Sequence, residues 1–234
     1  MNKIIKAIPS TITSMNLLSG ALATIFTLKG DITTAIYFVL LAAVFDFLDG
    51  FAAKMLNAIS EFGKQLDSLA DIVSFGFAPA AMLYYFIEKN DILPQYFSLL
   101  PMLIVIFSAL RLAKFNIDTE QTTEFKGLPT PASALFIISL CGYCTDNSSS
   151  LADFIKTDYI IVIIIFSICL LMVSNIRLFS LKIRKFSIKE NIWQFILIIC
   201  SIILLITFKI LGISLIIILY FSLSILKQKF SKNR

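Results

Sequence analysis

Four aspartates stand in a fixed frame between residues 46 and 71, Asp46-x2-Asp49-Gly50-x2-Ala53-Lys54-x8-Gly63-x3-Asp67-x3-Asp71, within a strongly apolar chain. Asp46 and Asp49 are three apart and Asp67 and Asp71 four apart, so on helices each pair occupies one face. Two such faces, opposed, form an oxygen-lined pocket. Each carboxylate in a membrane helix costs roughly 3 kcal/mol on insertion scales, and four together repel one another, which favours uptake of a proton or a cation. Oxygen-only ligation, in a chain without histidine, favours Mg²⁺, Mn²⁺ or Ca²⁺ over zinc. Two such ions could neutralise a pyrophosphate, stabilise an in-line displacement and hold the leaving phosphate. Without histidine, a general base must be a carboxylate, lysine, tyrosine or metal-bound water.

The small residues of the frame fit a ligand. Gly50, Ala53 and Gly63 leave no bulk near the carboxylates, so a flat nucleotide could approach the backbone. Small residues also serve tight packing of membrane helices, but their registration with four acids favours the ligand.

The elements that must position these groups are membrane helices. Of 234 residues 58% are hydrophobic and 15% charged, with a mean hydropathy of +0.90, far above the roughly 45–50% apolar content of a soluble domain. Windows of about 20 apolar residues predict eight spans, near 8–28, 34–56, 70–88, 95–115, 131–145, 158–176, 192–208 and 210–226. The breaks carry loop chemistry, as at Lys29-Gly30-Asp31, Glu88-Lys89-Asn90-Asp91 and Gly127-Leu128-Pro129-Thr130-Pro131. The apolar runs are continuous rather than alternating, which argues against a β-barrel. The expectation is an all-α integral membrane protein of about eight transmembrane helices, a six-helix catalytic core followed by two C-terminal helices. Residues 1–180 would form the catalytic membrane domain, and 181–234 a basic loop with the last two helices.

With the N-terminus inside, Lys29, Lys89, Lys156 and Lys209 fall outside and the other 16 of the 20 basic residues fall on the cytoplasmic side, as the positive-inside rule expects. That places both termini and the aspartate frame at the cytosolic face of a cytoplasmic (inner) membrane. The net charge of +5 is explained by attraction of juxtamembrane lysines and arginines to anionic membrane lipids; no nucleic-acid module is present. Lys182, Arg184, Lys185 and Lys189 read as a solvated loop at that surface, and Glu61, Asp118, Glu120 and Glu124 as cytoplasmic loop residues. Cys141-x2-Cys144 has the spacing of a metal or redox pair but no second pair, and reads, with Cys169 and Cys200, as packing thiols. Lys3 and Lys6 before an apolar run imitate a signal peptide, but further spans follow.

The frame resembles the signature of the CDP-alcohol phosphatidyltransferases, Asp-x2-Asp-Gly-x2-Ala-Arg-x8-Gly-x3-Asp-x3-Asp, at every position but one. Lys54 stands where that family usually has arginine, keeping the charge but losing the bidentate fork. Thr13 to Gly20, Asp67 to Ala80, Ala109 to Asn116, Lys126 to Ala132 and Leu171 to Arg177 further resemble the branch that uses L-serine as acceptor. The resemblance implies that Asp46, Asp49 and Asp67 hold two divalent cations (Mg²⁺ or Mn²⁺, with Ca²⁺ a possible occupant), that Asp71 contributes to the second, and that Asp71 is also the catalytic base. It implies attack of the serine hydroxyl on the β-phosphorus of CDP-diacylglycerol, and a homodimer. The nucleotide lipid would sit against Thr13, Asn16, Gly50, Ala53, Lys54 and Gly63. The serine carboxylate wants a cation, and Arg111, Lys114 and Arg177, with Asn116 as a neutral partner, lie nearest the cytoplasmic helix ends. Two alternatives stay open: another acceptor alcohol (glycerol 3-phosphate, inositol phosphate or choline), and a cation-coupled transporter, since buried acids also mark ion pathways.

Overall fold

The structure is a computed structural model and describes residues 3–117, 125–147, 149–179 and 191–232. The expected basic loop of Lys182, Arg184, Lys185 and Lys189, and Asp118, Glu120 and Glu124, lie outside the described residues. Among those described, α1 (Lys3–Leu28) and α2 (Ile32–Met55) form a hairpin. Its turn uses Gly30 at φ 81°, where a side chain would be strained, and Asp31, whose carboxylate accepts from the Thr34 amide at 3.0 Å to cap α2. The chain reverses again and enters α3 (Glu61–Asp71), capped by Ser60 accepting from the Gly63 amide at 3.0 Å. A π-helical turn (Ile72–Phe77) leads from α3 into α4 (Ala78–Lys89) without a break.

There follow α5 (Met102–Ile117), strand β1 (Phe125–Lys126), α6 (Thr130–Asp146), the short α7 (Ser150–Ile155), α8 (Asp158–Val173), strand β2 (Arg177–Leu178), α9 (Ile192–Phe208) and α10 (Leu211–Lys232). β1 and β2 pair antiparallel, Phe125 opposite Leu178 and Lys126 opposite Arg177. These two short strands leave the class all-α.

This is a multi-pass membrane protein. Ala7–Leu28, Ile32–Met55, Glu61–Lys89 and Leu211–Lys229 are long and apolar enough to cross a bilayer, and Thr130–Thr145, Asp158–Val173 and Ile192–Phe208 are shorter apolar helices. Outward faces are apolar, with Phe47, Leu170 and Ile206 at 70%, 63% and 75% exposure, as expected where lipid is the solvent. Inside, Ala23, Ala35, Val39, Ala42, Ala78 and Ala80 are fully buried. In lipid the helices gain little from the hydrophobic effect, and such small residues bring backbones close enough for dispersion to hold them.

Helix falls in each of the eight expected spans; the first starts earlier, at Lys3 rather than near 8, the last runs on to Lys232 rather than ending near 226, and three further boundaries move. The third helix begins at Glu61 rather than near 70; residues 95–101 form turns, so the fourth begins at Met102; and the sixth ends at Val173 rather than near 176. Hydropathy missed 61–69 because Glu61, Lys64, Gln65 and Asp67 are polar, although a capping serine starts a helix there, so Glu61 is the first residue of α3 and not a loop residue.

Candidate active site

The reversal between α2 and α3, with Asn57 at φ 49°, folds the two halves of the aspartate frame onto each other. One carboxylate oxygen from each of Asp46, Asp49 and Asp67 lies within 4.8 Å of the others. Asp49 is buried, and among the described residues Asp49 Oδ2 and Asp67 Oδ1 have no hydrogen-bond partner despite being shielded from solvent. Two like charges about 4 Å apart near a protein surface repel by about 4 kcal/mol, so three ionised carboxylates need a cation between them. The donors suit one: they are all oxygen, and two are orphaned. The cluster could bind a hard divalent metal ion.

Asp71 is outside that 4.8 Å group but near enough for its charge to interact with all three. At 7% exposure it receives a hydrogen bond on Oδ1 from Asn16 Nδ2 of α1, at 3.4 Å. Asn16 is in turn tethered by its carbonyl, which accepts from Ser74 Oγ at 2.9 Å. Ser74 lies in the π-helical turn that begins directly after Asp71. Such turns are rare in helices and concentrate at functional sites. Here the turn lies against α1 at Gly20, where a Cβ would stand 2.4 Å from Ser74 Oγ and 2.5 Å from its Cα. Only glycine permits that approach.

A cavity of about 250 Å³ opens beside the acids, lined by Pro9, Ser10 and Thr13 of α1, Asp49, Gly50, Ala53 and Lys54 of α2, the Ala58–Ser60 link, and Gly63, Lys64 and Asp67 of α3. It gathers Thr13, Gly50, Ala53, Lys54 and Gly63 from the expected nucleotide set; Asn16, the sixth, points at Asp71 instead. Ser10 and Lys64 join the lining without having been assigned to it. The signal for Ser10 was its place three residues before Thr13, on the same face of α1.

A second, small cavity is lined by Arg111, Lys114 and Phe115 of α5, Lys126 of β1, and Met172, Val173 and Ser174 at the end of α8. Arg111 lies close enough to Asp71 for their charges to attract, and its buried Nε has no hydrogen-bond partner among the described residues. Lys114 Nζ donates to Asn175 Oδ1 at 3.4 Å. Asn116 is turned elsewhere: its Nδ2 donates to Ser68 Oγ at 2.8 Å, and its carbonyl accepts from Lys64 Nζ at 3.1 Å. Arg177 is exposed on β2 and does not line this cavity. Lys126 and Ser174, in its wall, had not been assigned. Lys126 is carried there by Gly127, at φ 72° with its amide on the Ile176 carbonyl at 2.9 Å. A Cβ on Gly127 would meet the Met172 carbonyl at 2.6 Å.

Comparison with known proteins accounts for this arrangement. The family model for CDP-alcohol phosphatidyltransferase matches residues 6–169. The chain belongs to the CDP-alcohol phosphatidyltransferase family. Curated relatives include the CDP-diacylglycerol–serine O-phosphatidyltransferase of Helicobacter pylori (strain ATCC 700392 / 26695), 32% identical over 77% of this chain and 75% of that protein. The protein of the same name from Bacillus subtilis (strain 168) is 39% identical over 57% of this chain and 74% of its own. The archaetidylserine synthase of Methanothermobacter thermautotrophicus is 36% identical over 62% of each chain. The family match takes in all four aspartates and both groups of cavity residues as far as Lys126, and stops short of the α8 end, β2, α9 and α10. Membership favours a transferase over the transporter reading and brings CDP-alcohol and alcohol substrates at a membrane.

Proposed function

We propose that this chain transfers the phosphatidyl group of CDP-diacylglycerol to the hydroxyl of L-serine, giving phosphatidylserine and CMP. The observation that supports this reading is the placement of two cavities about the acids: a nucleotide-sized one lined by Asp49 and Asp67, and a small basic one whose Arg111 feels the charge of Asp71. A transferase needs a donor site and an acceptor site that share a base. Relatives named for serine with two different lipids support serine as the acceptor.

In this reading Asp46, Asp49 and Asp67 hold Mg²⁺ or Mn²⁺, with Asp71 contributing to a second ion, and the ions when bound would neutralise the pyrophosphate and stabilise the departing CMP. Thr13, Gly50, Ala53, Lys54 and Gly63 seat the cytidine diphosphate part, with Lys54 Nζ near the phosphates in place of the family's arginine. Arg111 and Lys114, with Lys126 and Ser174, hold serine by its carboxylate. Asp71, held by Asn16, takes the proton from the serine Oγ as that oxygen bonds to the β-phosphorus. The bond from that phosphorus to the CMP oxygen breaks, and CMP leaves. Residues 1–180 carry this chemistry, at the cytosolic face of the cytoplasmic membrane, where soluble serine meets a membrane-anchored donor.

The test is CMP release by purified protein with CDP-diacylglycerol, Mg²⁺ or Mn²⁺, and separately L-serine, glycerol 3-phosphate, inositol phosphate and choline. Release with L-serine alone is expected; release with glycerol 3-phosphate and none with serine would overturn the acceptor assignment. A second measurement separates the basic residues. Arg111→Ala is expected to raise the serine KM by roughly tenfold or more, the worth of a charge-assisted hydrogen bond. Arg177→Ala, outside the cavity, should change it far less. Equal effects would mean that the small cavity is not where serine binds.

A further inference from the structure

The last helix lies beyond the family match, which ends at residue 169, yet it grips the wall of the small basic cavity. That wall is built from the end of α8 and from Lys126 of β1, and β1 is held by its pairing with β2. β2 in turn is held from α10. Tyr220 Oη donates to the Phe179 carbonyl at 2.7 Å, and Gln228 Nε2 donates to the Arg177 carbonyl. Carbonyls two residues apart on an extended segment face the same edge, so these two side chains cover the edge of β2 that β1 leaves open. Two further contacts press the segment down. The Phe179 and Tyr220 rings meet edge to face with centroids 5.0 Å apart, and Lys227 Nζ lies 5.0 Å from the centre of the Phe179 ring. Phe179 is buried in a small satellite core with Leu197 of α9 and Leu223 of α10. At its other end α10 is anchored to the catalytic bundle, where Ser214 Oγ donates to the Phe136 carbonyl of α6 at 3.1 Å.

A strand of two residues, paired with another of two, cannot hold its own position, since even an isolated hairpin of ordinary length is marginal in water. We infer that Tyr220 and Gln228 are positioning residues for the acceptor site: α10 clamps β2, β2 sets β1, and β1 sets Lys126 against Arg111 and Lys114. The C-terminal helix thereby tunes acceptor affinity in an enzyme whose acids and larger cavity lie on α1–α3 and the link between α2 and α3. This inference rests on the assignment of the small cavity to serine.

The experiment measures kcat and the KM for each substrate in Tyr220→Phe, which keeps the ring packing and removes the donor, and in Gln228→Glu, which keeps size and replaces the donor with an acceptor. The serine KM is expected to rise about fivefold for each, the worth of one hydrogen bond, with the CDP-diacylglycerol KM unchanged. Gln228→Lys, which restores a donor, should return the serine KM towards wild type. Unchanged serine KM in both variants would overturn the clamp, as would a parallel rise in both KM values with lowered thermal stability, which a purely structural role produces. The wild-type enzyme run alongside separates the two levels of argument. No CMP release with serine there would overturn the acceptor reading itself, whereas an active wild type with unaltered variants overturns only the clamp.

Discussion

Asp71→Asn is expected to lower turnover by a factor on the order of a hundred to ten thousand, the usual worth of a positioned general base, while leaving CDP-diacylglycerol binding near wild type. The substitution keeps shape, and its side-chain oxygen can still accept from Asn16 Nδ2, so the 3.4 Å contact to α1 survives. What it removes is the ability to take a proton. Donor binding is spared because Asp71 is not one of the three acids that lie within 4.8 Å of each other and does not line the large cavity. Asp67→Asn is the contrast: Asp67 belongs to both, so turnover and metal-dependent donor binding should fall together. Activity measured as CMP release, and donor binding by calorimetry in detergent with and without Mg²⁺, separate the two. An Asp71→Asn enzyme with retained turnover would remove Asp71 from the role of base.

The second large effect belongs to a residue that touches no substrate. Gly20→Ala places a Cβ 2.4 Å from Ser74 Oγ, 2.5 Å from Ser74 Cα and 2.8 Å from its Cβ. Two opposing magnitudes decide the sign. Alanine is favoured over glycine within a helix by roughly 0.5–1 kcal/mol, and overpacking a tight interior contact costs about 1–3 kcal/mol. The upper part of the cost applies here, because the nearest atoms include backbone and Ser74 is itself held at 2.9 Å to the Asn16 carbonyl. The variant is expected to unfold at lower temperature in detergent and to lose most of its turnover, since moving Ser74 moves Asn16, and Asn16 holds Asp71. Thermal unfolding followed together with CMP release checks both parts. A variant of wild-type stability and activity would show that the approach of α1 to the π-helical turn is not what positions the base.

The acid pairs were legible because they are local. Three- and four-residue spacings put Asp46 with Asp49, and Asp67 with Asp71, on single faces whatever the rest of the chain does. The eight apolar runs were legible for a similar reason: in lipid every backbone polar group must be satisfied within the segment, so a long apolar run has little choice but helix. Hydropathy failed where that constraint lapses. The start of α3 is polar and still helical, and residues 95–101 contain Tyr96, Phe97, Leu99 and Leu100 yet form turns.

The division of labour within the site lay beyond local reading. Asn16 and Thr13 share α1 and were assigned together, but Thr13 lines the larger cavity while Asn16 holds Asp71. Asn116 and Lys114 are two residues apart, and the first bonds to Ser68 of α3 while the second faces the basic cavity. Lys126 reaches that cavity only because residues 125–126 and 177–178 pair across more than fifty residues of chain.

By itself, then, the sequence determined that this is an all-α membrane protein with two acid pairs on helix faces, and its frame pointed to the family. Only the tertiary structure decided that one oxygen from each of three acids converges, that one cavity opens along α1–α3 and a second against α5 and the end of α8, and that α10 reaches back to β2. Residue spacing sets which side chains share a face of one helix. How near two faces come depends on contacts between distant segments, such as Gly20 against Ser74, and no local pattern records them.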